Sequence, residues 1–441
     1  MNVIDLFSGA GGLTEGFYNA GFNIVVHIEK DKWACETLKT RKIYHFLKEN
    51  NDLELYKEYI FNKKDYRNVE ESRRIIYEKY PFLKEKLELE VLNHKFGDSS
   101  VDKDATNIKD IFSLINKSKK GQGINKIDLI IGGPPCQAYS LVGRGVMKEK
   151  AAKDDRNFLF RYYKEIVRKY KPKAFVFENV PGILTAQNGG IYKAIISEFN
   201  EIGYTLLSGQ SLNPKDNIID TSEIGLPQKR RRVILFGVRK ELKISYPKIR
   251  NYSYHFDDIT AKAVLSDLPK RNCGQGDYGE VLEYPNCTRL SEYEHAMRAE
   301  YLGVTLHQTR KHNKRDLDNY LDAIIAADSG CRIKYNDLPN NRKTHKNITS
   351  FLDRYKVHAS NEIPHTILAH LAKDGHYNIH PDKEQCRSLT VREAARIQTF
   401  TDDYYFEGPR TAQFTQVGNA VPPLMALSIA KAIKDIISKY K

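Results

Sequence analysis

Short apolar runs alternate with amphipathic stretches at the start of the chain. Val3 to Phe7 is an apolar run, residues 9–12 form a glycine-rich turn, and an amphipathic stretch over residues 13–20 ends before Gly21. A second apolar run follows over residues 24–28. Short apolar runs bounded by turns predict buried strands, and strands alternating with helices predict a parallel sheet covered on both faces. The pattern therefore predicts an α/β fold.

The same alternation returns later in the chain. The middle of the sequence predicts one helix, over residues 157–170, and three strands, over residues 127–131, 174–177 and 232–238. Near the end, Thr390 followed by Glu393 has the spacing of a capping box, which opens a helix predicted over residues 391–399. A last amphipathic helix is predicted over residues 423–439.

Two stretches interrupt this alternation. Residues from about 40 to 100 are rich in Lys, Glu and Tyr and have helical character, which indicates an insertion. From residue 249 to 386 the periodicity weakens, turn-forming pairs become frequent, and ten of the 13 histidines occur. The sequence therefore predicts a main domain from residues 1–248 and 387–441, interrupted by a smaller domain over residues 249–386. A chain of 441 residues is long enough for both.

Charge and cysteine content narrow the class of protein. The formal net charge is +14, which makes a polyanion such as nucleic acid a natural partner, although a basic and inert surface is the alternative. The six cysteines include no C-x-x-C pair, so neither a disulfide scaffold nor a zinc site is expected. No apolar stretch reaches the roughly 20 residues that span a bilayer, and the N-terminus lacks the layout of a secretory signal. A cytoplasmic protein is expected.

A cysteine follows the strand predicted over residues 127–131. The intervening segment is Gly132-Gly133-Pro134-Pro135, in which the prolines stiffen the loop and the glycines leave space for a ligand. Reactive groups of open α/β sheets lie at the carboxyl ends of the strands, so Cys136 is a candidate nucleophile. A buried structural cysteine is the alternative.

The first turn, Asp5 to Gly12, indicates a nucleoside-bearing cofactor. Its glycines allow a ligand to touch the backbone, but Thr14 occupies the place of the third glycine of a dinucleotide motif. Glu29 follows Gly9 by 20 residues and ends the second predicted strand, where a carboxylate commonly binds ribose hydroxyls. A solvated acid is the alternative for Glu29.

Glu178 ends the strand predicted over residues 174–177. Because neighbouring parallel strands open into one crevice, Glu178 and Cys136 are expected to converge there, as a proton donor beside a nucleophile. Strand alternation is expected to point Arg230 and Arg232 to the same side, where they could hold an anionic or carbonyl-rich substrate. A solvated charge run is the alternative for these arginines.

These motifs together resemble those of the DNA (cytosine-5)-methyltransferases, in the family's usual order. Six segments carry the resemblance, and they are residues 5–12, 133–137, 178–180, 228–232, 387–396 and 416–424. The resemblance implies a Rossmann-like methyltransferase fold with a mixed, mostly parallel sheet and a second, smaller target-recognition domain.

The resemblance also implies the cofactor S-adenosylmethionine. It would be held by Phe7, Gly9 and Gly11, with Glu29 on the ribose and Asn419 near the methionine end. The family uses an Asp on the adenine ring, for which Asp104 fits best and Asp98 competes.

By the same resemblance, Cys136 adds to C6 of a cytosine flipped out of duplex DNA, and C5 then takes the methyl group. Glu178 would hold N3 and the exocyclic amine, while Arg230 and Arg232 belong to the arginine motif and Arg232 would bind O2. The loop over residues 138–145 is expected to close over the substrate. The predicted DNA contacts are Gln137, Ser140, Arg144, Arg310 and Lys311.

The histidines at 370, 376 and 380 lack zinc-site spacing and are interpreted as packing or DNA-facing groups, and no metal is expected. The family further implies a bacterial modification enzyme, a monomer, that protects DNA from a restriction endonuclease acting on the same site. A tRNA methyltransferase is the closest alternative, but its typical Cys-Phe-Thr triplet is absent. A catalytically inactive DNA-binding regulator and an amino-methylating enzyme are the others.

Overall fold

The structure is a computed structural model that describes residues 1–135, 159–208, 213–287, 289–298, 303–344, 350 and 352–440. Its strands are β1 (Asn2–Leu6), β2 (Asn23–Glu29), β3 (Val91–Asn93), β4 (Lys95–Phe96), β5 (Ala105–Thr106), β6 (Leu129–Gly132), β7 (Ala174–Asn179), β8 (Tyr204–Leu207), β9 (Ile218–Asp220) and β10 (Arg231–Arg239). The helices before residue 250 are α1 (Gly12–Asn19), α2 (Lys32–Glu49), α3 (Leu53–Phe61), α4 (Val69–Ser72), α5 (Arg74–Lys79), α6 (Phe82–Glu90), α7 (Ile108–Gly121), α8 (Leu159–Tyr170) and α9 (Gly190–Glu201). The later helices are α10 (Ala261–Leu265), α11 (Glu292–Arg298), α12 (Lys314–Asp328), α13 (Val391–Ile397), α14 (Arg410–Asn419) and α15 (Pro423–Ile437).

One sheet of eight strands organises the described part of the chain. Its order is β3-β2-β1-β6-β7-β10-β8, and β9 pairs with β10. The strands from β3 to β7 are parallel, whereas β10 runs antiparallel to β7, β8 and β9. The order reverses direction at β1, so a crevice opens at the carboxyl ends of β1 and β6. The predicted mixed, mostly parallel α/β sheet is confirmed.

The central strands are apolar on both faces because each face packs against helices. On one face, strand residues such as Val3 and Val176 pack against α1 and α15, including Phe17 and Met425. On the other face, residues such as Ile130 and Phe175 pack against α7, α8 and α9. This explains why the strands read as nearly continuous apolar runs.

The predicted elements are present, with shifts of a few residues at their ends. The capping box is confirmed, since the Thr390 side chain accepts from Glu393 N and the Glu393 side chain accepts from Thr390 N. Helix α13 ends at Ile397, two residues before the predicted end, because Thr399 adopts a left-handed conformation with φ of 64°. Helix α8 is described from Leu159, and its first predicted residues lie outside the described part of the chain.

The predicted insertion consists largely of helices. Helices α3, α5 and α6 pack with α2 around their own apolar cluster, which includes Tyr44, Tyr56 and Leu83. Tyr405, from a distant part of the sequence, belongs to the same cluster. The insertion is therefore packed against the body of the protein.

The predicted boundary between residues 386 and 387 does not coincide with a division of the cores. Apolar residues of α13 and α14, such as Ala394 and Phe414, pack with Val264, Tyr293 and other residues of the region 249–386. Of the three helices α13, α14 and α15, it is α15 whose apolar residues belong to the cluster on the sheet. A separate cluster around Tyr320 and Tyr335 holds α12 and its neighbouring loops.

Candidate active site

A cavity of about 1240 Å³ opens at the carboxyl ends of β1, β2, β6 and β7. Among the described residues it is lined by the turn after β1, the ends of β2 and β7, the loop after β6, the segment after β4 and the end of α14. The predicted site residues in its wall are Phe7, Gly9, Glu29, Asp98, Glu178, Arg232 and Asn419. The fold thus brings together most of the described candidates in one space.

The turn after β1 has an unusual backbone. Phe7, Gly9 and Gly11 have φ angles of 55°, 54° and 85°, in the left-handed region that favours glycine. A Cβ on Gly9 would meet nothing within 4 Å, so Gly9 faces open space at the cavity. A Cβ on Gly11 would come within 2.8 Å of both Leu38 and the Tyr404 hydroxyl. Gly11 does not line the cavity. The absence of a side chain at this position allows Leu38 and Tyr404 to pack closely against the backbone.

Glu29 is held by the same turn. Its Oε2 accepts a hydrogen bond from Gly9 N at 2.9 Å, and its Oε1 accepts from Asp31 N at 2.9 Å. Burial raises the pKa of Glu29, and the two backbone N–H groups act against that rise by stabilising the carboxylate. The carboxylate is therefore fixed in orientation at the cavity wall.

The two aspartates considered for the adenine ring lie in different places. Asp98 lines the cavity, whereas Asp104 lies outside it. Oδ1 of Asp98 accepts hydrogen bonds from Ser100 N (2.9 Å) and Ser100 Oγ (2.7 Å), which lower the pKa of Asp98. The geometry therefore favours Asp98 over Asp104, the reverse of the expectation from sequence. The signal that could have found it is that Asp98 follows β4 closely, as Glu29 ends β2.

Glu178 and Arg232 form an ion pair in the cavity wall. Arg232 Nε donates to Glu178 Oε1 at 2.8 Å, and each side chain is 13% exposed. Antiparallel pairing brings them together, because Glu178 lies opposite Ile234, two residues after Arg232. The pair is partly buried yet open to the cavity, so it can act on a ligand.

The loop after β6 passes directly over Glu178. A Cβ on Gly133 would lie 2.6 Å from Glu178 Oε2, so a side chain there would displace the carboxylate from this position. Asn179 Nδ2 donates to the Pro134 carbonyl at 3.1 Å and ties the loop to β7. The loop after β6 continues to Cys136, which lies outside the described residues. The same holds for Gln137, Ser140, Arg144 and the rest of the loop predicted to close.

Arg230 does not share the position of Arg232. Its side chain is completely buried, and it donates to the carbonyls of Ile367 (2.8 Å), Gly418 (3.1 Å) and Ala420 (2.9 Å). The expectation that both arginines face a substrate is wrong, because Arg230 precedes β10 and strand alternation does not apply to it. Arg230 instead joins three parts of the chain.

The predicted DNA contacts in the region 249–386 are also unlike one another. The Arg310 guanidinium donates to the carbonyls of Leu371 and Ala372, each at 3.1 Å, and to that of Lys373. Its donors hold a loop, so the geometry argues against direct DNA contact by Arg310. Lys311 is exposed, and its DNA contact stays a prediction.

The histidines of this region mostly serve packing. His380 is buried beside Glu393 at 3.6 Å, His376 Nδ1 lies 2.8 Å from the Tyr320 hydroxyl, and His370 is exposed. Within the described ranges no group of three or more His, Cys, Asp or Glu side chains could hold a metal ion. No helix in those ranges is long and apolar enough to cross a membrane.

One feature of the cavity wall had no signal in the sequence. Phe96 packs between Phe7 (ring centroids 5.0 Å apart) and Tyr162 (5.7 Å) and forms an aromatic wall near Asp98. These residues come from the first turn, from β4 and from α8, so only the folded sheet brings them together.

The strand order and the cavity at the switch point define a Rossmann-like methyltransferase fold. The C-5 cytosine-specific DNA methylase family matches residues 1–67 and 89–435, and the chain belongs to that family. It is 56% identical to the type II methyltransferase M.Bpa9945I of Bacillus paralicheniformis over the full length of both chains. It is 29% identical to the type II methyltransferase M.DdeI of Desulfomicrobium norvegicum, over 98% of this chain and 88% of that one.

A solved structure agrees with this fold. A DNA modification methyltransferase assigned to an Escherichia coli prophage superposes with a TM-score of 0.62 at 20% identity, over 99% of both chains. Residues 68–88, which the family does not match, fall within the predicted insertion. The protein is therefore a DNA (cytosine-5)-methyltransferase.

Proposed function

We propose that the protein transfers the methyl group of S-adenosylmethionine to C5 of a cytosine flipped out of a specific duplex DNA site. The observation that carries this proposal is the partly buried Glu178–Arg232 pair, which shares one cavity with Glu29 and Asp98. One end of the cavity thus offers groups for a pyrimidine ring, and the other offers groups for a nucleoside.

The residues present fit the cofactor. Gly9 faces open space, and the Glu29 carboxylate is oriented by two backbone N–H groups, as ribose hydroxyls require. Phe7 and Phe96 offer ring faces to the adenine, Asp98 offers an acceptor to its amine, and Asn419 would bind the methionine end. When bound, S-adenosylmethionine supplies an electrophilic methyl group.

The protein's own groups would make C5 of cytosine reactive. The Cys136 thiolate would add to C6, which turns C5 into an enamine-like carbon. Once C5 carries the methyl group, a base would remove the C5 proton, and elimination at C6 would free the Cys136 thiolate. Glu178 would bind N3 and the exocyclic amine and supply a proton or strong hydrogen bond as charge builds on the ring. Arg232 uses Nε for Glu178 and Nη1 for the Arg231 carbonyl (2.9 Å), so we assign Nη2 to O2 of the base.

The proposed substrate is duplex DNA, in agreement with the net charge of +14, which favours a polyanion. The base must be flipped out because its target carbon is inaccessible in a stacked helix. We assign target recognition to the region 249–386, with Lys311 as an exposed candidate contact. Relatives named type II methyltransferases suggest that the protein modifies DNA against a restriction endonuclease of the same specificity. Such an enzyme would act as a monomer in the bacterial cytoplasm.

The test is transfer of labelled methyl from S-adenosylmethionine to duplex DNA and to tRNA, followed by bisulfite sequencing of the DNA. We expect label in DNA alone, at one short motif, and no label with the Cys136→Ala variant, which should still bind the duplex. Label in tRNA alone would overturn the proposed substrate. Unchanged transfer by Cys136→Ala would overturn the proposed mechanism.

A further inference from the structure

The segment from Asp403 to Glu407 is bound at both ends by α2 and the insertion. At its start, Arg41 Nη1 donates to Asp403 Oδ1 at 3.2 Å and the Tyr56 hydroxyl donates to the Asp403 carbonyl at 3.1 Å. The Tyr44 hydroxyl donates to Asp403 Oδ2. All these groups are buried. The first end of the segment is thus fixed by three side chains.

The other end of the segment is fixed by a buried ion pair. Lys63 Nζ contacts Glu407 Oε2, and neither side chain has any exposed surface. The hydroxyls of Tyr59 (2.6 Å) and Thr40 (2.7 Å) both donate to Glu407 Oε1. A buried ion pair with these additional partners holds its geometry tightly, because separating the two charges would leave each of them buried and uncompensated.

Between these two fixed ends, Tyr404 reaches the turn after β1. Its hydroxyl donates to the Ala10 carbonyl and lies 2.8 Å from the position that a Cβ on Gly11 would take. Its side chain is 1% exposed, and the Arg41 guanidinium packs over its ring at 4.7 Å. Ala10 itself lines the cavity.

The turn needs such support. Phe7, a residue with a Cβ, has φ of 55°, and such conformations cost free energy and persist only where the surroundings hold them. The turn presents Gly9 N to Glu29, so a displaced turn would also release the Glu29 carboxylate. The Tyr404 hydroxyl contacts the turn at Ala10 and Gly11.

We propose that Tyr404 is a positioning residue for the cofactor site, and that α2 and the insertion act on that site by holding the segment 403–407. Tyr404 binds the turn after β1, and this turn orients Gly9 and, through Gly9 N, the Glu29 carboxylate. This inference rests on the proposed binding of S-adenosylmethionine in the cavity. It gives the Lys63–Glu407 pair a role in cofactor affinity.

The test compares Tyr404→Phe with Tyr204→Phe. Both remove a hydroxyl that donates to a backbone carbonyl from a buried tyrosine, but the Tyr204 hydroxyl donates to Pro172 (2.6 Å) and Tyr204 does not line the cavity. Calorimetric titration with S-adenosylhomocysteine should show roughly 5- to 30-fold weaker binding for Tyr404→Phe, because a buried carbonyl loses its donor. Tyr204→Phe should bind as the unchanged protein does.

Kinetics separate positioning from general damage. Tyr404→Phe should raise KM for S-adenosylmethionine by a similar factor, while kcat at saturating cofactor and KM for DNA stay within about 2-fold. Equal affinity for S-adenosylhomocysteine in both variants, or an equal loss in both, would overturn the inference. Failure of the unchanged protein to bind S-adenosylhomocysteine would instead overturn the proposed function.

Discussion

Two arginines separated by one residue lie in different regions of this molecule. Arg232 is in the cavity wall, 13% exposed, with Nε on Glu178. Arg230 is in the junction between the sheet and the later part of the chain, where it is completely buried and binds three carbonyls. Residue type and charge are the same, and the difference lies in whether donors remain for a ligand.

Three more arginines are buried like Arg230, and they join α13 and the residues just before it to the region 249–386. Arg387, Arg392 and Arg396 are each completely buried. Arg387 pairs with Glu393 at 2.7 Å, and Arg396 pairs with Asp402 at 2.6 Å. These three arginines lie in residues 387–396, which match a motif of the family, yet they stabilise the fold. A charged motif residue is a candidate for chemistry only when its surroundings leave it partly open.

The largest expected effect comes from breaking the junction. Arg230→Leu leaves three buried carbonyls without their donor, which should lower the free energy of unfolding by about 3 kcal/mol or more. Urea unfolding measures this. Arg250→Leu is the control, because Arg250 pairs with Glu223 at the surface (61% and 57% exposed) and should change stability by less than about 1 kcal/mol. Equal stability of the two variants would contradict the assignment of Arg230 to the junction.

A substitution in the cavity wall should instead change the rate of the chemical step. Glu178→Gln keeps the shape of the side chain but removes the carboxylate, so the chemical step should slow by roughly 100-fold while DNA affinity changes little. Single-turnover methyl transfer and a gel shift measure the two quantities. Glu165→Gln, whose partner Arg168 is 62% exposed, should leave both unchanged. A loss confined to DNA affinity would show that Glu178 only binds substrate.

The region 249–386 should respond to acid. Burial lowers the pKa of His307 and His380 to about 4 and that of His358 to about 3, so these histidines are neutral in the folded protein. The unfolded chain, with pKa near 6.5, binds protons first, and stability should therefore fall as the pH drops from about 6.5 to about 4. Each of these histidines should lower the free energy of unfolding by on the order of 1–3 kcal/mol across that pH range.

Urea midpoints at pH 7.5 and pH 5 test this. The charged groups facing these histidines are Arg271, Lys356, Asp382, Arg387 and Glu393. The pKa values of Asp382 and Glu393 are lowered, so the stability that these two carboxylates contribute is lost only below about pH 4.3. The decrease above pH 5 thus belongs to the histidines, and replacement of His307 by Gln should reduce it. A midpoint that does not change between these pH values would contradict their buried, neutral state.

The smallest expected effect separates the two aspartates. Asp98→Asn should weaken binding of S-adenosylhomocysteine by about 10-fold, because one hydrogen bond to the adenine amine loses its charge. Asp104→Asn should leave the affinity unchanged, since Asp104 lies outside the cavity. The reverse result would restore the preference suggested by the sequence.

Much of the fold could be predicted from the chain because periodicity and turn residues determine the strands, the helices and the capping box. Glu29 and Glu178 could be placed because each ends a predicted strand of the same sheet. Arg230 could not, since alternation applies only inside a strand and β10 begins at Arg231. Asp98 was obscured by the insertion, which lengthens the path from β2 to β6, and Tyr404 gave no sign because its partner Ala10 is 394 residues away.

The central claim is that Cys136 bonds to cytosine beside Glu178. A duplex carrying 5-fluorocytosine at the mapped target, incubated with S-adenosylmethionine, measures this directly, because fluorine at C5 blocks the final elimination. We expect a protein–DNA adduct that survives denaturation, and none with Cys136→Ala. Absence of the adduct with active enzyme, or an equal yield with Cys136→Ala, would contradict the account.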